Sequence, residues 1–417
     1  MVKTRMTLRL TAARVAAAGG VAVCAAGMTA GGEPAFRVTR ELLGEGIHAQ
    51  TAAWIDGELH ITTVENMVTG AGQGENFTHW RRRDGRTVWI KQALFPAHHP
   101  GMPEFLVLDG AVLILYVDRQ DEQNRRVWLQ RVVDGEVVPL FDFADGTRGV
   151  LNPAMDLLPD GTLLVLVPNR VGRETRRFII DPVTGDAQRL DDITMPARGA
   201  RIFDRLIVGN RLLAPVSVIE ELLLLEIDLT DHSYRLHRRL DAFDSIAREP
   251  PRNTGIVALP DGEPLALVYL RPAAFSDRTG RRGPATGLIG EIVVNVIETN
   301  AFRSLRNTVI AGHTAETAAT HNMAIAQTGP RTFLLAHSEV DRIHQRHLTG
   351  EHKNYVGGYI THWRIGEDGT PERLSRQDIH PFYGTRMVPD GAGGAHLVCA
   401  AARDGEPLHY YRIEPLP

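Results

Sequence analysis

Along the chain, apolar positions fall in short runs of five to eight residues, each broken by a small polar turn, and one compound pattern recurs seven times. It is a strand, a turn, and a second, more apolar strand: "QTAAWIDGELHITTVEN" (50–66), "MPEFLVLDGAVLILYVD" (102–118), "NPAMDLLPDGTLLVLVPN" (152–169), "ARIFDRLIVGNRLLAPVS" (200–217), "NTGIVALPDGEPLALVYL" (253–270), "HNMAIAQTGPRTFLLAHSE" (321–339) and "YGTRMVPDGAGGAHLVCA" (383–400). The turn is Asp-Gly in five of them, at 56–57, 109–110, 160–161, 261–262 and 390–391. Asp-Gly between apolar runs predicts a tight hairpin, because both residues accept the positive φ that the turn needs.

A second hairpin follows each of the first six, as in "RVWLQRVVDGEVVPL" and "YITHWRIGEDGTPERL". Four strands recurring roughly every 50 residues are the pattern of β-propeller blades. The predicted fold is therefore all-β, a seven-bladed β-propeller of four-stranded blades. The last unit offers only "LHYYRIEP" after its first hairpin, so "AFRVTRELL" (35–43) is expected to supply its fourth strand and close the ring. Closure removes the open edges that invite aggregation. A two-sheet sandwich or two separate β domains is the competing arrangement.

Composition changes this picture little. The 417 residues are 43% hydrophobic and 23% charged, with 40 Gly and 24 Pro, as a turn-rich globular chain requires. A net charge of -4 gives no bulk attraction to nucleic acid or an anionic membrane. The N-terminus carries more information. Lys3, Arg5, Arg9 and Arg14 precede the apolar, small-residue stretch "VAAAGGVAVCAAGMTA", too short to span a bilayer. Residues 1–30 read as a signal peptide and 31–417 as a single propeller domain, exported to the periplasm or beyond; a lipid anchor on Cys24 is the minor alternative. After cleavage Cys399 would be the sole cysteine, so stability must come from the core and sheet pairing of a monomer.

In a propeller the residues that lead into each first strand converge around the central channel. Here they are His48 and Gln50, His98 and His99, Asn152, Arg198 with Arg201, Arg252 with Asn253, His321 with Asn322, and Tyr383 with Arg386. These positions contain no carboxylate. Converging His, Arg and Tyr groups suit an anionic ligand, above all a uronate carboxylate or a sulfate. Strand-end caps around a water-filled channel are the structural alternative. A long loop, 337–358, carries His344, His347 and His352 beside Glu351. Without a fixed helix this spacing reads as a polar loop rather than a metal site. No cofactor is expected, with a structural calcium or zinc ion left open.

The segments "HHPGMPEFLVLDGAVLILYVDR", "LNPAMDLLPDGTLLVLVPN" and "THNMAIAQTGPRTFLLAHSE" resemble the BNR-type repeats of sialidase-superfamily propellers. Within that group the chain is similar to ulvan-lyase-like and rhamnosyl-glucuronate-cleaving enzymes. The Asp-box pattern Ser-x-Asp-x-Gly-x-x-Trp is absent. The resemblance implies lytic β-elimination on an anionic, uronate-containing polysaccharide or oligosaccharide.

That chemistry needs a neutralised carboxylate, a base for the C5 proton and an acid for the leaving oxygen. Histidine suits the base, since its unperturbed pKa of ~6.5 leaves it mostly neutral at working pH. The candidates are His99 or His321 as base, Tyr383 as acid, and Arg201, Arg252 or Arg386 as carboxylate clamp. Asn152 and Asn322 would orient the sugar, with His98 and Gln50 in support. A glycoside hydrolase on the same fold is the nearest rival, disfavoured because it needs two carboxylates at the bond. The other is a propeller that binds glycan or protein without catalysis. Trp80 and Trp363, each in "THW", read as equivalent structural positions.

Overall fold

The structure is a computed structural model. It describes residues 22–23 and 36–416 except 46, 56, 66–74, 84–89, 98–100, 120–124, 135, 145–152, 170, 220, 243–253, 260, 262, 273–274, 277–281, 284–288, 299–300, 313–316, 342–354 and 402–406. The described residues are all-β, arranged as a β-propeller.

Three four-stranded meanders come first, opening on the inner strands Ile47–Ile55, Gly101–Leu108 and Ala154–Leu157. In the fourth sheet the inner strand is split into Arg201–Ile202 and Leu206–Val208, both paired with Arg211–Val218. An eight-stranded sheet follows, made of two meanders that open on Thr254–Ala258 and Thr317–Gly329. They are joined only where Ile289 and Gly290 pair with Thr320 and Ala319. At that junction a side chain on Gly312, whose φ is +72°, would run into the Ala319 backbone and lie 2.6 Å from the Gly290 carbonyl. The last sheet holds Phe382–Pro389, Ala395–Ala401 and Pro407–Pro415, and the N-terminal strand Phe36–Glu45 completes it along Pro407–Pro415. Ala22–Val23 pairs with the outer edge of that strand. Five of these sheets stand as separate blades.

The turns form for the reason the sequence suggests. Gly57, Gly110, Gly161, Gly209 and Gly391 all take positive φ, and Asp109 joins Gly110 at φ +50°. The second strands, such as Leu163–Pro168 and Arg211–Val218, are buried almost throughout. Each lies mid-sheet with a neighbouring sheet on both faces, which is why its sequence is a continuous apolar run rather than an alternating one.

Apolar clusters fill each step around the ring. Leu115 and Val165 belong to one between the second and third sheets; Leu164 and Leu223 belong to the next. Leu43, Ile61 and Tyr410 pack the closing sheet against the first. Trp80 and Trp363 occupy matching buried places on third strands, and each indole N–H donates to a threonine hydroxyl, Thr63 and Thr361.

Several histidines are buried in these interfaces as neutral rings. His60 Nδ1 lies 3.0 Å from His79 Nε2, and burial first, then His60 and Arg81, holds His79 down to about 3. His337 is also held to about 3, by burial and then by Arg376 and Arg373, and its Nδ1 has no partner. A depressed folded pKa means that the unfolded chain binds the extra proton. The stability these rings contribute is complete above pH ~6.5 and is lost as the pH falls toward 3, at about 1.4 kcal/mol per pH unit for each ring. Urea titrations from neutral to mildly acidic pH should show this slope, and His337→Phe should flatten it by about one proton. An unchanged slope in the variant would refute the assignment.

Candidate functional site in the central channel

The inner strands change register where they approach the channel. Pairing slips between Ala49 and Thr51, Gly101 and Glu104, Ala319 and Met323, and Tyr383 and Thr385. Bulges of this kind bend a strand and re-aim its side chains, and they concentrate near active sites. The residues just past the slips, Thr51, Glu104, Met323 and Thr385, all line one cavity of ≈ 180 Å³. Thr254 from another inner strand joins them, as does Asp204 from the break in the split strand. Part of the wall is apolar, with Phe203, Ile325 and Met387.

Charge in this cavity is organised by Arg205, whose side chain is only 10% exposed. Its Nη2 donates to Glu104 Oε2 at 2.7 Å, and its Nε lies 2.8 Å from Asp156 Oδ2. Nη1 donates to the Phe203 carbonyl at 3.0 Å and Nη2 to the Met155 carbonyl at 3.3 Å. One guanidinium thus ties the second, third and fourth sheets together at the axis. Burial alone would lower its pKa, but Asp156 and then Glu104 outweigh burial and raise it. Arg205 therefore stays charged between Glu104 and Asp156.

Two groups in the cavity lack such pairing. Asp204 Oδ2 accepts the Ile256 N–H at 2.8 Å and Oδ1 accepts the Arg205 N–H at 3.0 Å. Burial raises its pKa, against those bonds and the Arg205 charge. Arg386 Nη1 donates to the Thr385 carbonyl at 2.8 Å, and among the described residues no carboxylate lies within ion-pair distance of it. Burial lowers its pKa, with Glu104 acting in the opposite sense. A guanidinium facing a cavity without a counter-ion is ready to receive an anion, and its planar fork fits a carboxylate.

Of the sequence-predicted residues, Arg386 lines the cavity. Arg201 is buried at 6% exposure and does not line it. Gln50, His321, Asn322 and Tyr383 lie on the inner strands Ile47–Ile55, Thr317–Gly329 and Phe382–Pro389, at or beside the register slips; their side chains are outside the described residues. His98, His99, Asn152 and Arg252 are outside the described residues altogether, as are His344, His347 and His352. Among the described residues no three His, Cys, Asp or Glu side chains gather as metal ligands.

The leading residues carry no carboxylate, yet acidic groups from other positions reach the cavity. Glu104 and Asp204 face the cavity from positions within or between inner strands, one step deeper than the leading residues. They are tolerated there because Arg205 and backbone N–H groups satisfy them. A charged residue inside an otherwise apolar run, as in "PEFLVL", "IFDRLIV" and "TRMVP", was the available signal.

No protein-family profile matches the chain, and no curated protein sequence matches it. Solved structures do. A 6-phosphogluconolactonase-like protein of Bacteroides uniformis aligns with 83% of this chain and 90% of its own, at 12% identity and a TM-score of 0.50. An oligogalacturonate lyase in complex with manganese covers 95% and 96% at 13% identity and a TM-score of 0.48. The NanB sialidase of Streptococcus pneumoniae covers 90% and 70% at 10% identity and a TM-score of 0.46. At these identities the likeness is one of fold. Among the described residues no helix is long and apolar enough to cross a membrane.

Proposed function

We propose that this chain is an exported carbohydrate-active enzyme that cleaves an anionic, uronate-containing glycan by β-elimination in its central channel. The observation that carries this reading is Arg386, a guanidinium on the cavity wall with no carboxylate at ion-pair distance among the described residues. In the reading, Arg386 binds the uronate carboxylate and draws charge from the C5 position. His99 or His321 takes the C5 proton, and Tyr383 stands at the leaving oxygen. Asn152, Asn322, Gln50 and His98 hold the sugar, with Arg201 and Arg252 as further cations. The ring counts seven blades when the two meanders of the eight-stranded sheet are taken separately, and the apolar clusters between successive units support that count. The protein acts as a monomer in the periplasm or outside the cell.

A second reading, hydrolysis, is favoured by one observation: Glu104 and Asp204 place two carboxyl groups on the cavity, the residue types that most glycoside hydrolases use. Incubation with a panel of uronate-containing polysaccharides separates the two. Elimination gives one unsaturated, ultraviolet-absorbing end per cut; hydrolysis gives reducing ends without that absorbance.

A further inference from the structure

Three carboxyl groups, Glu104, Asp156 and Asp204, lie around one buried arginine fork, and they are not treated alike. Arg205 faces Glu104 with both terminal nitrogens, at 2.7 and 3.3 Å, and Asp156 with Nε. Its other hydrogen bonds go to the Phe203 and Met155 carbonyls, so no N–H of the fork reaches Asp204. The second guanidinium of the cavity, Arg386, has Glu104 as its acidic neighbour. Asp204 is left with two backbone N–H groups and no cation at ion-pair distance among the described residues. It sits in the break of the split inner strand, between Arg201–Ile202 and Leu206–Val208, and faces the cavity from there.

We propose that Asp204 is the proton donor of the channel, delivering its carboxyl hydrogen to the leaving glycosidic oxygen, with Glu104, held by the Arg205 fork, as the counterpart that receives sugar hydroxyls. This deepens the elimination reading and rests on it, moving the acid role from Tyr383 to Asp204. The two carboxyl groups then take different roles because their surroundings differ, as environment divides the roles of paired carboxyl groups in one site. Burial pushes the Asp204 carboxyl toward its neutral form, while the Arg205 fork holds both Glu104 oxygens. Each Asp204 oxygen can keep its backbone N–H as an acceptor while the hydroxyl hydrogen points to the ligand.

In the elimination, the base takes the proton from C5 and the C–H electrons form the C4–C5 double bond. The C4–O bond breaks, and the departing oxygen takes the Asp204 proton as Asp204 becomes a carboxylate. Water reprotonates Asp204, and the base returns its proton to solvent. Atoms and charge balance without a further reactant.

Asp204 also ties two inner strands through Ile256, so the test must separate that contact from acid catalysis. Asp204→Asn keeps an oxygen for the Ile256 N–H and removes the acid, giving up only the local acceptor for the Arg205 N–H. The first measurement is infrared difference spectroscopy at neutral pH, wild type against D204N, before and after addition of glucuronate. A neutral-carboxyl band that D204N lacks, and that shifts with glucuronate, supports the proposal even where no glycan is cut; in that case the elimination reading fails instead. Absence of the band, or a band that glucuronate does not move, overturns it. The second measurement is turnover. D204N should lose roughly 10²- to 10⁴-fold on a glycan, as expected for loss of a general acid. It should lose little on a uronate carrying an aryl leaving group that departs without protonation, and its basic pH limb should vanish. Equal losses on both substrates would assign Asp204 a structural role and overturn the proposal.

Discussion

Replacing Arg205 with methionine is expected to destabilise the fold by about 3–5 kcal/mol, the cost of removing one partner from a buried charge group. The side chain is 10% exposed and faces Glu104 and Asp156 from two other sheets, with backbone carbonyls of Phe203 and Met155 completing its shell. Without it, two carboxylates would face each other at the axis with no cation between them, and the second, third and fourth sheets would lose their common tie. Denaturant unfolding of wild type and variant measures the loss. The triple variant R205M/E104Q/D156N should recover a large part of it, since neutralising both partners removes the unpaired charges. A loss below about 1 kcal/mol in the single variant would show that the arginine is a solvated surface group, contrary to its burial.

Arg386 should behave in the opposite way. Arg386→Met is expected to leave stability unchanged or raise it, because this guanidinium sits in a covered site with no carboxylate at ion-pair distance among the described residues. The same substitution should weaken uronate binding by roughly 10- to 100-fold, the worth of a hydrogen bond to a charged group. Arg386→Lys should recover part of the binding, since a point charge replaces a fork that matches both carboxylate oxygens. Thermal unfolding with and without glucuronate reads both effects in one experiment. Stability lost together with binding would make Arg386 a structural residue and remove the main support for an anionic ligand.

Much of the fold was legible because its signals are local. A positive-φ turn at Asp109–Gly110 or Gly161 is written in two adjacent residues, and the two-sided burial of Leu163–Pro168 is written in its unbroken apolar run. Closure by the N-terminal strand could be read from the incomplete last unit, and Phe36–Glu45 lies where that reading put it. The channel was legible only in part. Its position follows from the repeat, and Arg386 was reached by counting along the segment that leads into its strand. Glu104, Asp204 and Arg205 are not among the leading residues, because they lie within or between inner strands. What permits charge there is a meeting of Arg205 with side chains from the second and third sheets, far away in sequence. The break in the fourth inner strand, at Phe203, Asp204 and Arg205, has no glycine or proline to announce it.

The most direct test of the central claim is the ultraviolet absorbance of unsaturated uronate, followed while the protein meets uronate-containing polysaccharides, with R386M run alongside. The account predicts a rise on at least one glycan, reduced at least tenfold in a variant that remains folded. A flat trace on every uronate glycan, or a rise that R386M leaves unchanged, would contradict it.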